Sequence, residues 1–495
     1  MKITFLYMGA ENLGIESLSA LLEKHGHQTA LVFDPALFDD KYYLQIPFLA
    51  RLFKYKNIVE DVLATDPDIV LFSVFSDCNQ WALDIARKIK KTKDIPIIFG
   101  GIHPTSVPDK TMEEDCVDYV VVGESEDSLL ELLDSIEQNE PNHAIPNVWS
   151  KKDGRVIGNL VRPLKQDLDS LPYPNKALFA PHVPMKHYMI ATARGCLFAC
   201  SFCCHNLLRK LYVKDAHRYV RRRSPEHVLG ELRLAKQKYK FKYVSFEDDI
   251  FTHDKEWLRK FLPKYKREIN VPYRAITHPL HVDDEVARLL KESGCYKLEV
   301  GVQTFNQDVK RKMMSRTETT EDIINALKAC SKYKLNFYVD MMFGFGETEE
   351  DMKFAVRLFN RYRPVRITCY WLQYFPSTSV LQKTGATDEQ VKEAEQGAQN
   401  TYITGGSVKD KKAARLIKNF QFMMKSLQLY PRWMVNFFLT SKTYKGFFLI
   451  PPLPFELLVA LKKTDYRIFN YIGYYTFNFK KLIRNKLSKN KMKRK

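Results

Sequence analysis

The 495-residue chain has no uncharged apolar run that reaches the roughly 20 residues a membrane-spanning helix needs. Its start, "MKITFLYMGAENLG", also lacks the marks of a signal peptide, because one early Lys precedes a short β-like run without a small-residue cleavage site. Both absences predict a cytoplasmic protein, in which disulfides are rare. Clustered cysteines in such a protein indicate metal binding or catalysis rather than cross-links.

Acidic residues are in the minority, 58 against 77 basic residues, and the formal net charge is +19. Between Lys480 and Lys495 every charged residue is basic. One interpretation of this segment is a solvated tail. The other is contact with nucleic acid or with the anionic inner surface of a membrane. No recognisable RNA-binding module accompanies the charge, so nucleic acid ranks last as a partner.

Residues 1–140 alternate short apolar runs with helical patterns. The predicted strands are "KITFLYM", "TALVFDP", "DIVLFSVF", "IPIIFGG" and "VDYVVVGE". Such strands predict an α/β domain with a doubly wound, Rossmann-like parallel sheet that is covered on both faces. Ligands bind at the carboxyl ends of these strands, here "MGAENLG", "SVFSD", "GGIHPT" and "GESED". No Gly-x-Gly-x-x-Gly fingerprint is present, so a large polar cofactor is favoured over a dinucleotide.

A polar, proline-containing stretch at 141–185 is predicted to be a linker. A second strand–helix series at 186–380 then supplies "HYMIATARG", "KYVSFEDD", "YRAITHP", "KLEVGVQT", "NFYVDMMFGFG" and "RITCYWLQYFP". Six such units predict a partial (β/α)6 barrel of the TIM type, with its chemistry at the carboxyl ends of the strands. The remaining residues, 381–495, are predicted to form a helical extension with a basic tail.

Four of the nine cysteines fall in "ATARGCLFACSFCCHN", directly after the first barrel strand. Cys196, Cys200 and Cys203 form the pattern Cys-x3-Cys-x2-Cys, and thiolates at that spacing can reach three corners of an iron–sulfur cube. The alternatives are a structural zinc site, which wants a fourth ligand, or plain buried thiols.

This pattern, with the aromatic Phe202 before its last cysteine, resembles the radical S-adenosylmethionine (radical SAM) superfamily. The resemblance implies a 4Fe-4S cluster on Cys196, Cys200 and Cys203, with S-adenosylmethionine chelated to the open iron. Reductive cleavage of that cofactor would yield a 5′-deoxyadenosyl radical, which abstracts hydrogen from a substrate. Phe202 would offer its backbone carbonyl to adenine, and Cys204 lies outside the motif.

The same resemblance extends to later strand ends. It places Glu247, Asp248 and Asp249 toward the amino group or ribose of S-adenosylmethionine, although an acidic strand end also serves as a helix cap. It further places Glu299 and Gln303 toward the ribose and methionine part, and the backbone of Gly344 and Phe345 beside adenine. The arginines of "YVRRRSPEHV" are interpreted as a solvated start of a helix, with a carboxylate pair to Arg221 or Arg223 as the alternative.

The first domain resembles the cobalamin-binding domain that precedes the barrel in one large radical SAM subfamily. The phrases "ENLGIESL", "FGGIHPTSVP" and "DYVVVGESEDSLLELL" carry the resemblance. It implies cobalamin contacts from the strand ends, at Glu11, Asn12, Leu13, Gly14, Ser73, Gly100, Gly101, His103, Thr105, Gly123 and Glu124. The loop "GAENLGIES" lacks the His of the usual Asp-x-His-x-x-Gly motif, so cobalt is expected to have no protein His ligand.

The leading hypothesis is a cobalamin-dependent radical SAM enzyme that methylates an unactivated carbon of a small-molecule substrate. Alternatives are a cyclase or ring-rearranging enzyme with the same cofactors, and a cobalamin or redox sensor without turnover. Expected partners are an electron donor such as flavodoxin or ferredoxin and a substrate that is lipid-like if the aromatic segment 420–461 covers the barrel mouth. The other interpretation of that segment is a packed C-terminal subdomain.

Overall fold

The computed structural model describes residues 1–40, 44–397, 408–463 and 470–482. Two large sheets organise this part of the chain. The strands of the first half are β1 Lys2–Met8, β2 Gln28–Asp34, β3 Asp39–Asp40, β4 Leu44–Gln45, β5 Ile69–Ser73, β6 Ile97–Gly100, β7 Tyr119–Val121, β8 Val148–Lys152 and β9 Arg155–Gly158. The helices there are α1 Leu13–Lys24, α2 Pro47–Phe53, α3 Ile58–Leu63, α4 Asn79–Thr92, α5 Ile102–Ser106, α6 Pro108–Met112 and α7 Glu126–Glu137.

The first sheet has the strand order β2-β1-β5-β6-β7-β8-β9, and its first five strands are parallel. Side chains of β1 alternate between two cores. Phe5 packs with Leu129 and Leu132 of α7, whereas Leu6 packs with Val62 of α3 and with residues of α4 on the other face. This alternation is what a strand buried on both faces requires, and it confirms the doubly wound prediction.

Strands β8 and β9 lie within the stretch 141–185 that the sequence analysis treats as a linker. They form an antiparallel hairpin that extends the first sheet beyond β7. Their turn is Asp153-Gly154, with φ of +49° and +73°, as a tight two-residue hairpin turn needs. The linker interpretation is therefore wrong for residues 148–158, which belong to the sheet.

The second half of the chain forms the predicted six-stranded sheet. Its strands are β10 His187–Ile190, β11 Ala193–Arg194, β12 Arg221–Arg222, β13 Tyr243–Phe246, β14 Tyr273–Thr277, β15 Cys295–Gln303, β16 Phe337–Phe343 and β17 Arg366–Trp371. Six of them pair in the parallel order β10-β13-β14-β15-β16-β17, and β11 and β12 form a separate antiparallel pair. The helices between them are α8 Cys204–Leu211, α9 Pro225–Tyr239, α10 Lys255–Glu268, α11 Asp284–Ser293, α12 Thr320–Lys332 and α13 Glu349–Tyr362. The partial-barrel prediction is confirmed.

The C-terminal extension is helical and packs on both domains. Its helices are α14 Val380–Lys383, α15 Asp388–Gln396, α16 Lys411–Ser426, α17 Arg432–Thr440 and α18 Leu453–Lys463. Phe420 and Met423 of α16, with Tyr444, belong to the core of the second sheet. This packing favours a C-terminal subdomain over a cover for the barrel mouth. Short 3₁₀ turns lie at Ser76–Cys78, Val213–Arg218, Pro279–His281, Leu427–Leu429 and Thr443–Leu449, and a π turn lies at Val309–Met313.

Residues 470–482 are helical and return to the first sheet. The hydroxyl of Tyr474 donates to the carbonyl of Gly9 at 2.6 Å and lies 3.2 Å from that of Pro35, just beyond the ends of β1 and β2. The basic tail beyond Leu482 falls outside the described residues. Among the described helices none alone is long and apolar enough to cross a bilayer, although the bent pair Thr443–Leu449 and Leu453–Lys463 passes that test together.

Candidate active site

The predicted cluster cysteines lie on one loop between β11 and α8. Cys203 immediately precedes α8, and the buried Cys200 lies at the base of the loop. Ser201 anchors the loop, because its backbone N–H donates to the carbonyl of Met314 at 3.0 Å and its hydroxyl donates to the carbonyl of Met313 at 2.5 Å. Three thiols are thus presented by one anchored segment of eight residues.

The protein makes these thiols poor acids in the absence of a cation. Burial raises the pKa of Cys196 to about 12 and also raises that of Cys200. The neighbouring thiol of Cys204, together with burial, raises the pKa of Cys203 well above its usual value. Arg316 opposes the effect at Cys200, where its guanidinium lies 3.9 Å from the sulfur. Thiolates here need a positively charged partner, which bound iron would supply.

The donor set fits an iron–sulfur cube better than a zinc ion. In the described part of the chain, no group of three or more His, Cys, Asp or Glu side chains converges on one ion position. A mononuclear zinc site requires such convergence. A cube does not, since each thiolate binds its own iron at a separate corner.

An aromatic wall stands beside the cysteine loop. The rings of Phe202 and Phe345 lie 6.3 Å apart between centroids, in a cluster with Met314 and Leu372. The backbone N–H groups of Gly344 and Phe345, which were predicted to lie near adenine, both donate to the Glu347 carboxylate at 3.1 Å. Any contact from these two residues to a ligand would therefore come from other atoms.

The three acidic residues after β13 have three different roles. Asp248 is buried and accepts from the backbone N–H groups of Thr192 and Ala193 at 2.6 and 2.8 Å, so it positions the segment that leads to the cysteine loop. Glu247 is held by both oxygens to Arg274 inside the barrel. Asp249 alone is substantially exposed, and it lines a cavity between the two sheets.

The two polar residues predicted on β15 also differ. Glu299 is buried in the barrel interior, 3.0 Å from the ammonium of Lys297 and 3.3 Å from the guanidinium of Arg274. Burial works to raise the pKa of Glu299, but the charges of Lys297 and Arg274 bring it below its usual value. Gln303 ends the strand at φ +65°, and its buried Oε1 has no hydrogen-bond partner among the described residues. Gln303 is the better candidate for a ligand contact.

A cavity of about 430 Å³ lies at the carboxyl edge of the first sheet. Seven of the eleven predicted cobalamin residues line it, namely Leu13, Gly14, Ser73, Gly100, Gly101, Gly123 and Glu124. Its opposite side comes from the second domain, through Ala191, Ala193, Arg194, Gly195 and Asp249. Gly195 directly precedes Cys196, so the cavity adjoins the cysteine loop.

The other four predicted cobalamin residues hold the loops around this cavity. Glu11 pairs with the buried Lys176 at 2.6 Å. Asn12 caps α1, accepting from the Ile15 N–H at 3.0 Å. Thr105 accepts from the N–H of Gly123 at 2.9 Å. His103 is buried, its Nδ1 lies 3.0 Å from the Ser76 hydroxyl, and burial lowers its pKa to about 4. None of the four lines the cavity.

A charged cluster joins the two domains; a carboxylate partner for Arg221 was predicted only as the alternative, and the part played by Arg194 was not predicted. Arg221 binds both oxygens of Glu124 at 2.5 and 2.9 Å, and Arg194 binds Glu126 at 2.6 Å. Burial works to raise the pKa of Glu124, but Arg221 and Arg194 bring it below its usual value. The position of Arg194, two residues before Cys196, was the available sequence signal.

The interpretation of the arginine triplet as a solvated helix start is wrong. Arg221 pairs with Glu124, and the other two arginines are buried as well. Arg222 lies 3.5 Å from Asp248, and Arg223 lies 2.5 Å from Glu231. Each cation has a carboxylate partner inside the protein, which is the condition under which buried charges are retained.

Two family models match the chain. The B12 binding domain matches residues 6–133, and the radical SAM superfamily matches residues 190–359. These matches coincide with the two sheets and place the cavity between the matched domains. The fold and site thus define an α/β enzyme with two cofactor-binding domains.

Curated relatives point the same way. The uncharacterized methyltransferase PH0819 of Pyrococcus horikoshii is 28% identical over 326 residues, 63% of this chain and 68% of that protein. The cytidylyl-2-hydroxyethylphosphonate methyltransferase of Streptomyces wedmorensis is 24% identical over 69% of this chain and 71% of its own. The anaerobic magnesium-protoporphyrin IX monomethyl ester cyclase of Rubrivivax gelatinosus is 24% identical over 66% and 60%.

Solved structures share the fold. OxsB, described as a cobalamin-dependent S-adenosylmethionine radical enzyme, matches with a TM-score of 0.65 at 15% identity, over 98% of this chain and 80% of its own. The radical S-adenosylmethionine methyltransferase TsrM from Kitasatospora setae matches with a TM-score of 0.60 at 16% identity, over 76% and 73%. The chain thus carries a B12-binding domain followed by a radical SAM domain.

Proposed function

We propose that this protein is a cobalamin-dependent radical SAM methyltransferase that acts on an unactivated carbon of a small-molecule substrate. One observation carries the proposal. The cavity at the carboxyl edge of the first sheet is bounded on its far side by Arg194 and Gly195, and Cys196 follows at once. Methyl transfer to a radical carbon needs a methyl donor and a radical source beside one substrate, and this arrangement brings their two domains together.

The described residues fit the cofactors that the proposal requires. Cys196, Cys200 and Cys203 would hold the 4Fe-4S cluster, and Phe202 and Gln303 would contact S-adenosylmethionine. Cobalamin would occupy the cavity, whose glycines admit close approach of a large ligand. No histidine is among the residues that line the cavity in the described chain, which supports cobalt without a protein His ligand. When bound, these groups supply a 5′-deoxyadenosyl radical and a transferable methyl group.

Several residues of the chain would position the two cofactor sites relative to each other. Asp248 fixes the backbone that leads into the cysteine loop, and Arg316 offsets negative charge at Cys200. The Arg221–Glu124 pair ties the cavity's edge to β12, which pairs with β11 just before that loop. Together these contacts keep the two cofactor sites in register, and the electron is expected from a flavodoxin or ferredoxin.

Anaerobic reconstitution with iron, sulfide and hydroxocobalamin tests the cofactor sites separately. Cys200→Ala is expected to lose the cluster's iron and its electron paramagnetic resonance signal, whereas Cys204→Ala, at the adjacent thiol outside the motif, is expected to keep both. Gly100→Leu is expected to exclude cobalamin, because Gly100 lines the cavity and the leucine side chain would fill it. The fold should tolerate the change, since a Cβ at this position meets only ordinary contacts at 3.9 Å. Equal iron loss in both cysteine variants would contradict the assignment.

A cyclase with the same cofactors is the second candidate, favoured by the similarity to the Rubrivivax cyclase. Turnover with S-adenosylmethionine carrying a deuterated methyl group separates the two. A labelled methyl group in the product supports methyl transfer, and a product that has lost hydrogen without gaining the label supports cyclisation. Cluster and cobalamin bound without any 5′-deoxyadenosine from any substrate tried would instead favour a sensor.

A further inference from the structure

Helix α2 buries none of its residues, which is unusual for a helix at the surface of a folded domain. The side chain of Phe48 is 75% exposed and that of Leu52 is 55% exposed. Phe53 turns the other way and lies 5.3 Å from Phe38 between ring centroids. The helix is therefore anchored by one end while its apolar face points outward.

The helical residues 470–482 continue this apolar surface. The rings of Phe479 and Phe53 lie 5.5 Å apart, so the two helices are neighbours. Ile472 and Phe479 are 51% and 38% exposed. We call the side chains of Ile46, Phe48, Leu52, Ile472 and Phe479 the docking patch.

Positive charges predominate around the docking patch, although the exposed Asp39 lies beside it and accepts from the side-chain amide of Gln45 at 3.2 Å. Residues 45–57 contain Arg51, Lys54 and Lys56 but no acidic residue, and residues 470–482 contain Lys480 and Lys481 but no acidic residue. The sequence that follows, residues 483–495, adds seven basic residues and again no acidic one. Exposed Phe, Leu and Ile side chains with predominantly basic surroundings match the chemistry of an anionic phospholipid surface.

We propose that the docking patch binds the protein to the surface of an anionic phospholipid bilayer. A second copy of the chain fits less well, because a two-fold interface would set the same basic residues against each other. Nucleic acid also fits less well, since three of the five patch side chains, those of Ile46, Leu52 and Ile472, offer no aromatic face for stacking and gain nothing from phosphates.

The position of the patch gives docking a direction. Helix α2 follows the short strands β3 and β4 that come after β2. Tyr474 binds the carbonyl of Gly9, which lies shortly before α1, and the first residues of α1, Leu13 and Gly14, line the cavity. Docking would turn the carboxyl edge of the first sheet toward the bilayer. A lipid-like substrate, which rests on the function proposed above, would be reached from that side, whereas docking itself requires neither cofactor nor turnover.

Flotation of the full chain with vesicles tests the proposal. Phosphatidylcholine vesicles that contain phosphatidylglycerol are expected to bind it, more weakly as salt rises, and pure phosphatidylcholine vesicles are not. The double variant Phe48→Ser, Leu52→Ser is expected to bind at least about tenfold more weakly, because it lacks two apolar side chains that the wild-type protein buries in the bilayer. Leu234→Ser on α9, where the native side chain is 58% exposed, is the matched control and should bind as wild type.

The outcome also distinguishes the other occupants. Arg51→Glu, at an exposed position, should weaken binding to anionic vesicles even if the double variant fails to fold. Equal binding to both vesicle types, or equal binding by the patch and control variants, overturns the proposal. If the wild-type chain binds no vesicles but forms a dimer that the double variant does not form, the patch is a dimer interface instead. If the wild-type chain binds no vesicles but binds an oligonucleotide that the double variant fails to bind, the patch is a nucleic-acid site instead.

Discussion

The substitution Glu124→Gln removes the charge that joins the B12-binding domain to β12, the strand that pairs with β11 before the cysteine loop. Arg221 is only 4% exposed at its side chain and binds both oxygens of Glu124, which is 25% exposed. Gln keeps the shape and one acceptor oxygen but leaves the Arg221 guanidinium without an anion. Breaking a buried pair in this way destabilises a protein by about 3–5 kcal/mol.

The expected loss is smaller than that upper range for two structural reasons. A quarter of the Glu124 side chain is exposed, and Arg221 keeps a hydrogen bond to the carbonyl of Lys165 at 3.1 Å. We therefore expect a loss of about 2–3 kcal/mol, or roughly 4–12 °C in the first thermal unfolding transition. Because Arg221 and Arg194 hold the pKa of Glu124 below its ordinary value of 4.5, this stability is present above pH 4.5 and is lost as pH falls through the lower, folded-state pKa.

Calorimetry or circular dichroism melting of the full chain measures the effect, with Glu131→Gln as the matched control. Glu131 also binds an arginine with both oxygens, Arg162 at 2.9 and 3.1 Å, but it is 50% exposed. Such a pair contributes under about 1 kcal/mol, so the control should melt within roughly 4 °C of wild type. Equal shifts in the two variants, or a Glu124→Gln shift that grows at low pH, would refute the reasoning.

Three further results are expected. Arg316→Met removes the guanidinium beside the sulfur of Cys200. It should lower the reduction potential of the reconstituted cluster by about 40–80 mV in a redox titration, the equivalent of about 1–2 kcal/mol, and an unchanged potential would show that the contact does not tune the cluster. Burial raises the pKa of Glu347 to about 7, so wild type should lose about 3 kcal/mol of stability as pH rises from 4.5 to above 7. Glu347→Gln should lose that pH dependence in urea titrations. Gly101→Ala should destabilise the first domain by about 1–3 kcal/mol in a thermal melt, because a Cβ at φ +100° would lie 2.7 Å from the backbone N of Val74. The control Gly154→Ala also has a positive φ but meets open space, so it should cost only about 1 kcal/mol in the same melt.

Much of the fold follows from short-range pattern. Residues 3–7 and 69–73 are apolar on both faces, which only a strand between two helix layers can satisfy, and their alternation splits Phe5 and Leu6 between two cores. The hairpin at 148–158 was harder to predict because charged residues flank its Asp153-Gly154 turn and hide the period of two. The return of residues 470–482 to the first sheet was out of reach, since the Tyr474–Gly9 contact joins residues 465 apart.

The site shows the same division between local and long-range information. Spacing alone indicated the cysteine loop, and strand ends indicated a ligand site at the carboxyl edge of the first sheet but not the contribution of the second domain to it. The sequence did not show that Asp248 and Asp249 have different roles. Their side chains differ in role because consecutive residues of an extended segment point in opposite directions. Glu299 had a readable warning, because Lys297 lies two residues before it and thus on the same strand face. The partner Arg274 on β14 depends on register between strands, which sequence does not supply.

Production of 5′-deoxyadenosine tests the central claim most directly. The reconstituted full chain, with cluster and cobalamin both shown to be bound, would be incubated anaerobically with S-adenosylmethionine and dithionite, and the nucleosides read by mass spectrometry. We predict 5′-deoxyadenosine from wild type and from Cys204→Ala, and none from Cys200→Ala. A wild-type chain that binds no cluster, or a Cys200→Ala variant that still forms 5′-deoxyadenosine, would contradict radical chemistry at this cysteine loop.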